Sequence, residues 1–166
     1  MVRLLAAVVA LGLATPAFAE TPGKGDWGIG VSLGGAAGFA NYGSLEITNG
    51  LSASYFITRE LSVSATLGLS TTDKVGTTFG LTAGCWYYFM RSQGHQLSPF
   101  VGGAAGIALV SPSGADTAVA GLFLVGGGLE YFVNQYFGIR VSEGFEFITK
   151  PVTFALVTRL ALTLYI

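Results

Sequence analysis

Charged side chains are scarce in this chain. Only 10% of its residues are Asp, Glu, Lys or Arg, whereas a typical soluble domain contains about 25%. The eight basic and nine acidic residues nearly cancel, so the charge does not predict a surface that binds nucleic acid. A chain of 166 residues has too few charges here to coat a soluble globule of that size.

Cysteine and histidine each occur once, as Cys85 and His95. A single cysteine excludes an intramolecular disulfide. One histidine and one cysteine also exclude a zinc site with the ordinary ligand set. The segment Gly23-Lys24-Gly25 lacks the hydroxyl residue of a phosphate-binding loop. The sequence therefore predicts no cofactor and no metal.

Long apolar runs are missing beyond the first twenty residues. The longest, Ala118 to Leu129, contains four glycines and stops at Glu130. A membrane-spanning helix needs about 20 consecutive apolar residues, so a helical membrane bundle is excluded. Glycine, in contrast, is abundant, with 25 residues. A glycine-rich, charge-poor chain without spanning helices is typical of a closed barrel in a bilayer.

The N-terminus predicts an export signal. Arg3 precedes a short apolar run, and an A-x-A site ends at Ala19. The apolar run is shorter than the roughly 20 residues that a retained anchor helix would need. We therefore expect residues 1–19 to be a signal peptide, cleaved between Ala19 and Glu20, and 20–166 to form one domain.

Large and small side chains alternate along most of the chain. From Leu61 to Leu69 every odd position is apolar and every even position is Ser, Thr or Gly. Period two places alternate side chains on opposite faces of a strand. The pattern recurs and predicts strands at 26–37, 44–57, 61–71, 77–89, 99–110, 118–132, 136–147 and 153–166. These lengths suit the ~9–11 residues of a tilted membrane strand.

A soluble barrel of the lipocalin type, or a sandwich, also shows alternation. Such a protein would place the large apolar side chains inside. The interior of an eight-stranded barrel is narrow, so those side chains would overfill it, whereas Gly, Ser and Thr would fit. The sequence favours an all-β fold, an eight-stranded antiparallel up-and-down transmembrane β-barrel, with the large side chains facing lipid.

Three stretches resemble the small bacterial outer-membrane β-barrel family, which includes the OmpX-like and OmpA-type eight-stranded barrels. They are SYFITRELSVSATLG, GGGLEYFVNQYFGIRV and the C-terminal RLALTLYI, and the likeness extends from about Gly25 to Ile166. The resemblance implies an outer-membrane protein in contact with outer-membrane lipid. It also implies help from the outer-membrane assembly machinery, which in this family reads an outward terminal aromatic. Ile166 departs from that pattern.

The short connections at 58–60, 91–98 and 133–135 predict the periplasmic end, where both termini also lie. Outward aromatic side chains near these connections predict an aromatic girdle at the membrane surface. Its members are Tyr55, Tyr87, Phe89, Tyr131 and Phe137. Phe132 and Tyr136 are expected to point inward and to close or line the base of the lumen.

The alternation sends five charged side chains inward, Glu46, Glu130, Arg140, Glu146 and Arg159. A turn at 133–135 would set Gly128 opposite Arg140, with Glu130 on the diagonal. We predict that Glu130, Arg140 and Arg159 cluster and plug the lower half of the lumen. Glu46 and Glu146 are expected nearer the outer mouth. A closed core and a selective ion path are both compatible with such charges, and eight strands favour the closed core.

The stretch GVSLG matches the G-x-S-x-G motif of serine hydrolases, but Ser32 lies within a predicted strand and no helix follows. His95 falls in a predicted periplasmic connection. We therefore expect a non-enzymatic, monomeric barrel with a structural or surface-presentation role in the cell envelope. Two alternatives stay open: a narrow pore or conduit for small solutes or apolar molecules, and, less favoured, an enzyme acting on outer-membrane lipid.

Overall fold

The computed structural model describes residues 21–38, 49–72, 76–89, 96–112, 116–149 and 152–166. The predicted signal peptide with its cleavage site, Glu46 and His95 lie outside these ranges. The described residues include no helix long and apolar enough to cross a membrane.

Eight strands form one closed sheet. They are β1 Trp27–Gly38, β2 Asn49–Phe56, β3 Leu61–Thr72, β4 Gly76–Tyr88, β5 Leu97–Pro112, β6 Ala118–Asn134, β7 Phe137–Thr149 and β8 Val152–Tyr165. Each strand pairs antiparallel with the next, and β8 pairs with β1. The predicted eight-stranded antiparallel barrel is therefore confirmed. Closure leaves no sheet edge to be satisfied elsewhere.

Side chains alternate between the outside and the inside of the wall. Trp27, Ile29, Val31 and Leu33 of β1 are all more than half exposed, and small residues lie between them. On β8 the outward positions are even-numbered, so Leu164 faces outward while Tyr165 is buried. An apolar outer surface is the inverse of a soluble barrel and suits a wall that faces lipid.

The β6–β7 hairpin differs from the predicted one. Its turn is Gln135–Tyr136, and the register shifts between Phe132 and Asn134. The Asn134 Oδ1 accepts a hydrogen bond of 2.8 Å from the Tyr136 amide, which holds a tighter turn than the predicted three-residue one. The predicted inward orientation of Tyr136 is therefore wrong, because its side chain is exposed.

The shifted register also changes which residues oppose each other. Glu130 lies directly opposite Arg140, and Gly128 lies opposite Ser142. The predicted pairing of Gly128 with Arg140, and the diagonal contact of Glu130, are wrong. Direct pairing brings the two charged side chains of one barrel face close together.

Short turns and the ends of the described chain share one end of the barrel. At the β2–β3 turn, Thr58 Oγ1 accepts hydrogen bonds from the amides of Glu60 (3.2 Å) and Leu61 (3.0 Å). Trp27 and Ile166 exchange backbone hydrogen bonds of 2.9 and 2.8 Å at the same end. We call this the turn end of the barrel, and the opposite one the loop end.

The interior contains two clusters of buried apolar side chains. Nearer the turn end lie Phe56, Trp86, Tyr88, Phe100, Leu124, Phe132 and Tyr165. Toward the loop end lie Ala108, Val110, Ala120, Leu122 and Ile148. The large inward side chains are thus concentrated near the turns, although the alternation places mostly small residues inside elsewhere.

Gly128 of β6 marks a place where two strands approach very closely. A Cβ built there would lie 2.0 Å from the Val141 carbonyl oxygen and 2.7 Å from the Ser142 Cα. Both are backbone atoms of β7, so a side chain could be accommodated only if the ladder moved. At Gly121 of the same strand, the nearest atom is a Thr149 methyl group at 3.3 Å.

We expect Gly128→Ala to lower the free energy of unfolding by about 1–3 kcal/mol, because it overpacks the β6–β7 ladder. Gly121→Ala, the matched control on the same strand, should change it by less than about 1 kcal/mol. Urea unfolding of the folded barrel in lipid vesicles measures both. Equal losses for the two variants would contradict the close approach at Gly128.

Candidate functional site

The Glu130 side chain lies at the centre of the lumen near the turn end. It is fully buried, and its register partner Arg140 is only slightly exposed. The two strands β6 and β7 bring them face to face because both positions point inward. The Arg140 Nη2 lies 2.9 Å from the Glu130 Oε2 and its Nε lies 3.1 Å from the same oxygen.

Four donor groups converge on the Glu130 carboxylate. Besides the two Arg140 nitrogens, the Tyr88 hydroxyl donates to Oε2 at 2.8 Å, and the Tyr165 hydroxyl donates to Oε1. Arg140 Nη2 also donates to the Tyr88 hydroxyl oxygen. Both carboxylate oxygens are thus satisfied by the protein, as a buried charge requires.

Aromatic rings surround this network and fill the lumen. The Phe100 ring centroid lies 4.9 Å from the Arg140 Cζ, within cation–π distance. Ring contacts of 5.4 to 5.9 Å connect Tyr88 with Phe100 and Phe56, and Tyr165 with Phe56 and Phe132. We call these side chains, together with Glu130 and Arg140, the lumen plug.

Two glycines make room for the Tyr165 ring of the lumen plug. A Cβ at Gly28 would lie 2.8 Å from Tyr165 Cε1, and one at Gly138 would lie 3.0 Å from Tyr165 Cε2. These glycines belong to β1 and β7, the strands on either side of β8. The Tyr165 ring therefore lies against two bare stretches of backbone, which is why it fits in so narrow a barrel.

Arg159 belongs to a second, separate ion pair. Its Nη2 lies 2.6 Å from the Glu146 Oε2, and the Glu146 side chain is buried. The predicted three-residue cluster is therefore wrong in its membership, because Arg159 pairs with Glu146 rather than with Glu130. Glu146 lies nearer the loop end of β7 than Arg140 does, in the direction predicted for it, and Arg159 is its partner there.

A cavity of about 20 Å³ adjoins the second ion pair, lined by Ser32, Gly50, Thr66, Thr82, Ala104, Leu122, Leu124, Glu146 and Arg159. A cavity must offer roughly 10–15 Å³ to hold one water molecule. The space is therefore suited to a single hydrating water and is too small for an organic solute. Ser32 takes part in the wall here, since its hydroxyl donates to the Gly50 carbonyl at 3.4 Å.

Catalytic geometry is not apparent around Ser32. The residue lies inside β1, where the strained strand-to-helix turn of a hydrolase nucleophile is missing among the described residues. Within the same ranges, no group of three His, Cys, Asp or Glu side chains could hold a metal ion.

The aromatic side chains predicted for the girdle lie near the turn end. Tyr87 and Phe89 are exposed on the outside, with ring centroids 5.2 Å apart. The rings of Tyr55 and Trp27 make a tilted contact with their centroids 4.9 Å apart. Trp27 is not among the residues predicted for the girdle. Tyr131 is partly buried, and its hydroxyl donates to Gln96 at 3.3 Å.

Phe137, the fifth predicted member of the girdle, is partly buried. It begins β7 opposite Leu164, whose side chain is exposed outward. With Trp27 added, outward aromatic side chains surround much of this end of the described wall.

One charged residue of the outer wall is not among the predicted site residues. Glu143 lies on β7 between Arg140 and Glu146, yet its odd number places it on the outer face, where it is exposed. Among the described strand residues it is the one charged side chain that points outward. The same parity rule that sent Arg140 and Glu146 inward could have identified it.

No family model matches the chain, and no curated protein matches it. Several solved structures are similar to the chain in fold. The N-terminal β-barrel domain of Pseudomonas aeruginosa OprF is similar with a TM-score of 0.61 and 17% identity, over 85% of this chain and 98% of that one. The chain has the fold of the small eight-stranded outer-membrane β-barrels.

Two further outer-membrane barrels show the same similarity of fold. Neisserial surface protein A has a TM-score of 0.55 at 15% identity, over 85% of this chain and 95% of that one. OprG of Pseudomonas aeruginosa has 0.53 at 12%, over 88% and 98%. At such identities the likeness concerns the fold alone, so the role of this barrel must be argued from its own residues.

Arg140→Met should lower the free energy of unfolding of the barrel by about 3–5 kcal/mol, because the buried Glu130 carboxylate loses its cation. The double variant Glu130→Gln/Arg140→Met should recover a large part of that loss, since no charge is then left buried. Chemical unfolding in lipid vesicles, run as a double-mutant cycle, measures the coupling. Additive losses in the double variant would contradict a direct ion pair in the lumen.

Proposed function

We propose that this protein is an integral barrel of the bacterial outer membrane with a closed lumen, and that its role is structural or surface-presenting rather than enzymatic. The lumen plug carries the proposal. Its members Phe56, Tyr88, Phe132 and Tyr165 are at most 1% exposed, and Glu130 joins them through hydrogen bonds. A continuous water path would have to pass through this packed cross-section.

The outer surface supports a position within a membrane. Exposed Leu, Val, Ile and Phe side chains cover the wall between its two ends, as on Val31, Leu81 and Phe145. Aromatic residues collect near the turn end, where a membrane–water interface favours them. Outer-membrane lipid is therefore the partner that the wall fits best, and the turn end corresponds to the periplasmic side.

Assembly by the outer-membrane machinery belongs to the same proposal, and β8 supports it through its outward apolar row but not through its last residue. Ile166 is 70% exposed and extends the outward row of Leu162 and Leu164. An apolar residue thus occupies the last outward position of this row, where the resemblance to the family leads one to expect an aromatic. Export through a cleaved signal at residues 1–19 completes this proposal.

Transport through the lumen is the alternative role, and the dimensions argue against it. The internal space beside Glu146 and Arg159 is about 20 Å³, which is the size of a water site. An outer-membrane enzyme is less well supported, because Ser32 bonds to the neighbouring strand instead of meeting a catalytic partner in the described residues.

In planar bilayers the wild-type barrel should show no steady conductance steps, because the lumen plug blocks ions. A variant with Phe56→Ala, Phe132→Ala and Tyr165→Ala should conduct, since it removes three fully packed rings from one cross-section. Single-channel recording measures both proteins under the same salt and voltage.

Phe145→Ala is the matched control, because its exposed ring lies on the outer face. This variant should remain silent. Steady steps from the wild-type barrel would refute the closed-lumen proposal. A silent triple variant that is shown to be folded would refute the assignment of the block to these three rings.

A further inference from the structure

Glu143 lies halfway along β7, among outward apolar residues. The outward neighbours along the strand are Val141 and Phe145, and the cross-strand partners are Gly127 on β6 and Thr158 on β8. Glu143 itself is exposed. The carboxylate thus interrupts an apolar surface that otherwise fits lipid.

The depth of this residue follows from strand geometry. Glu143 is six residues from Phe137, at the turn end of β7. With a rise of about 3.3 Å per residue and a tilt of about 40°, it lies roughly 15 Å from that end. The apolar band of such barrels is about 25 Å tall, so the carboxylate is near its middle rather than at an interface.

Hydrocarbon supplies no hydrogen-bond donor to a carboxylate at that depth. Within the described part of the chain, neither an ion pair nor a hydrogen bond holds the Glu143 side chain. An ionisable residue that faces lipid is costly and marks a functional surface by default. Thr158, its outward neighbour on β8, offers a hydroxyl donor on the same face.

We propose that this face of the barrel binds a second copy of the chain, with Glu143 of each protomer accepting a hydrogen bond from the Thr158 hydroxyl of the other. A two-fold axis along the membrane normal sets β7 of one copy against β8 of the other. Glu143 of each copy then faces Thr158 of the other, so the same hydrogen bond forms twice, as an isologous contact requires.

The surroundings of the pair suit close packing of two walls. Gly127 lies on one side of Glu143, and Gly35 pairs with Thr158 on the other. Small residues let backbones approach and are typical of protein contacts in membranes. A partner bearing a cation would match Glu143 alone, whereas a second copy presents both an acceptor and a donor at the same height of the wall. The donor–acceptor symmetry favours a second copy.

This inference replaces the monomer expected from the sequence, and it is independent of the closed lumen. Conduction by the wild-type barrel would refute the closed lumen but not the dimer. A monomeric barrel would refute the dimer but not the closed lumen.

The test measures the dimer–monomer equilibrium of the barrel in lipid vesicles over a range of protein-to-lipid ratios. Glu143→Leu and Thr158→Val should each shift the dimer–monomer midpoint by about tenfold or more, because two symmetric hydrogen bonds are lost at once. Glu143→Gln keeps an acceptor and should stay close to wild type. Each variant is first checked for heat-modifiable mobility, so that a folding defect is recognised.

Cross-linking identifies the partner. Leu160→Cys, on β8 beside Thr158, is introduced together with Cys85→Ala and treated with a short bis-maleimide in native outer membranes. It should give a product of twice the monomer mass, whereas the native Cys85 on β4, on the far side of the wall, should give none. A wild-type barrel that is monomeric at every ratio, or an adduct with another protein or with lipid alone, would overturn the proposal.

Discussion

Glu130 needs hydrogen-bond donors from the protein itself, because its carboxylate has no access to water. It sits on β6 and receives them from Tyr88 on β4, Arg140 on β7 and Tyr165 on β8. One buried charge thereby ties together half of the strands at the turn end. The aromatic rings pack around the same atoms, so the closed lumen and the satisfied charge are aspects of one arrangement.

The inner and outer faces of the wall differ in how polar groups are satisfied. Inside, Glu130 and Glu146 each have an arginine partner, and glycines such as Gly28 and Gly138 give space to the Tyr165 ring. Outside, the described surface of the strands is mostly apolar, and Glu143 is the one charged side chain on it. Glu143 connects the chemistry of the wall with the proposed second copy in the membrane, because the lipid cannot satisfy the carboxylate.

Much of the fold could be predicted from the sequence, since period two is a direct consequence of strand geometry. Residues 61–69 show it without interruption, and the described strands follow the predicted ones within a few residues. The site was less predictable. The Asn134 side chain tightens the hairpin and moves Glu130 opposite Arg140, and no periodicity records such a shift. The partner of Arg159 depends on side-chain reach, which spacing alone does not reveal.

Solution NMR of the barrel in lipid nanodiscs, with labelled tyrosine, tests the central claim most directly. The account predicts hydroxyl-proton signals for Tyr88 and Tyr165 that exchange slowly with water, because both hydroxyls donate to a buried carboxylate. Replacing Glu130 by Gln should shift both signals together. Hydroxyl protons that exchange too fast to be observed in the folded wild-type barrel would contradict a dry, closed lumen.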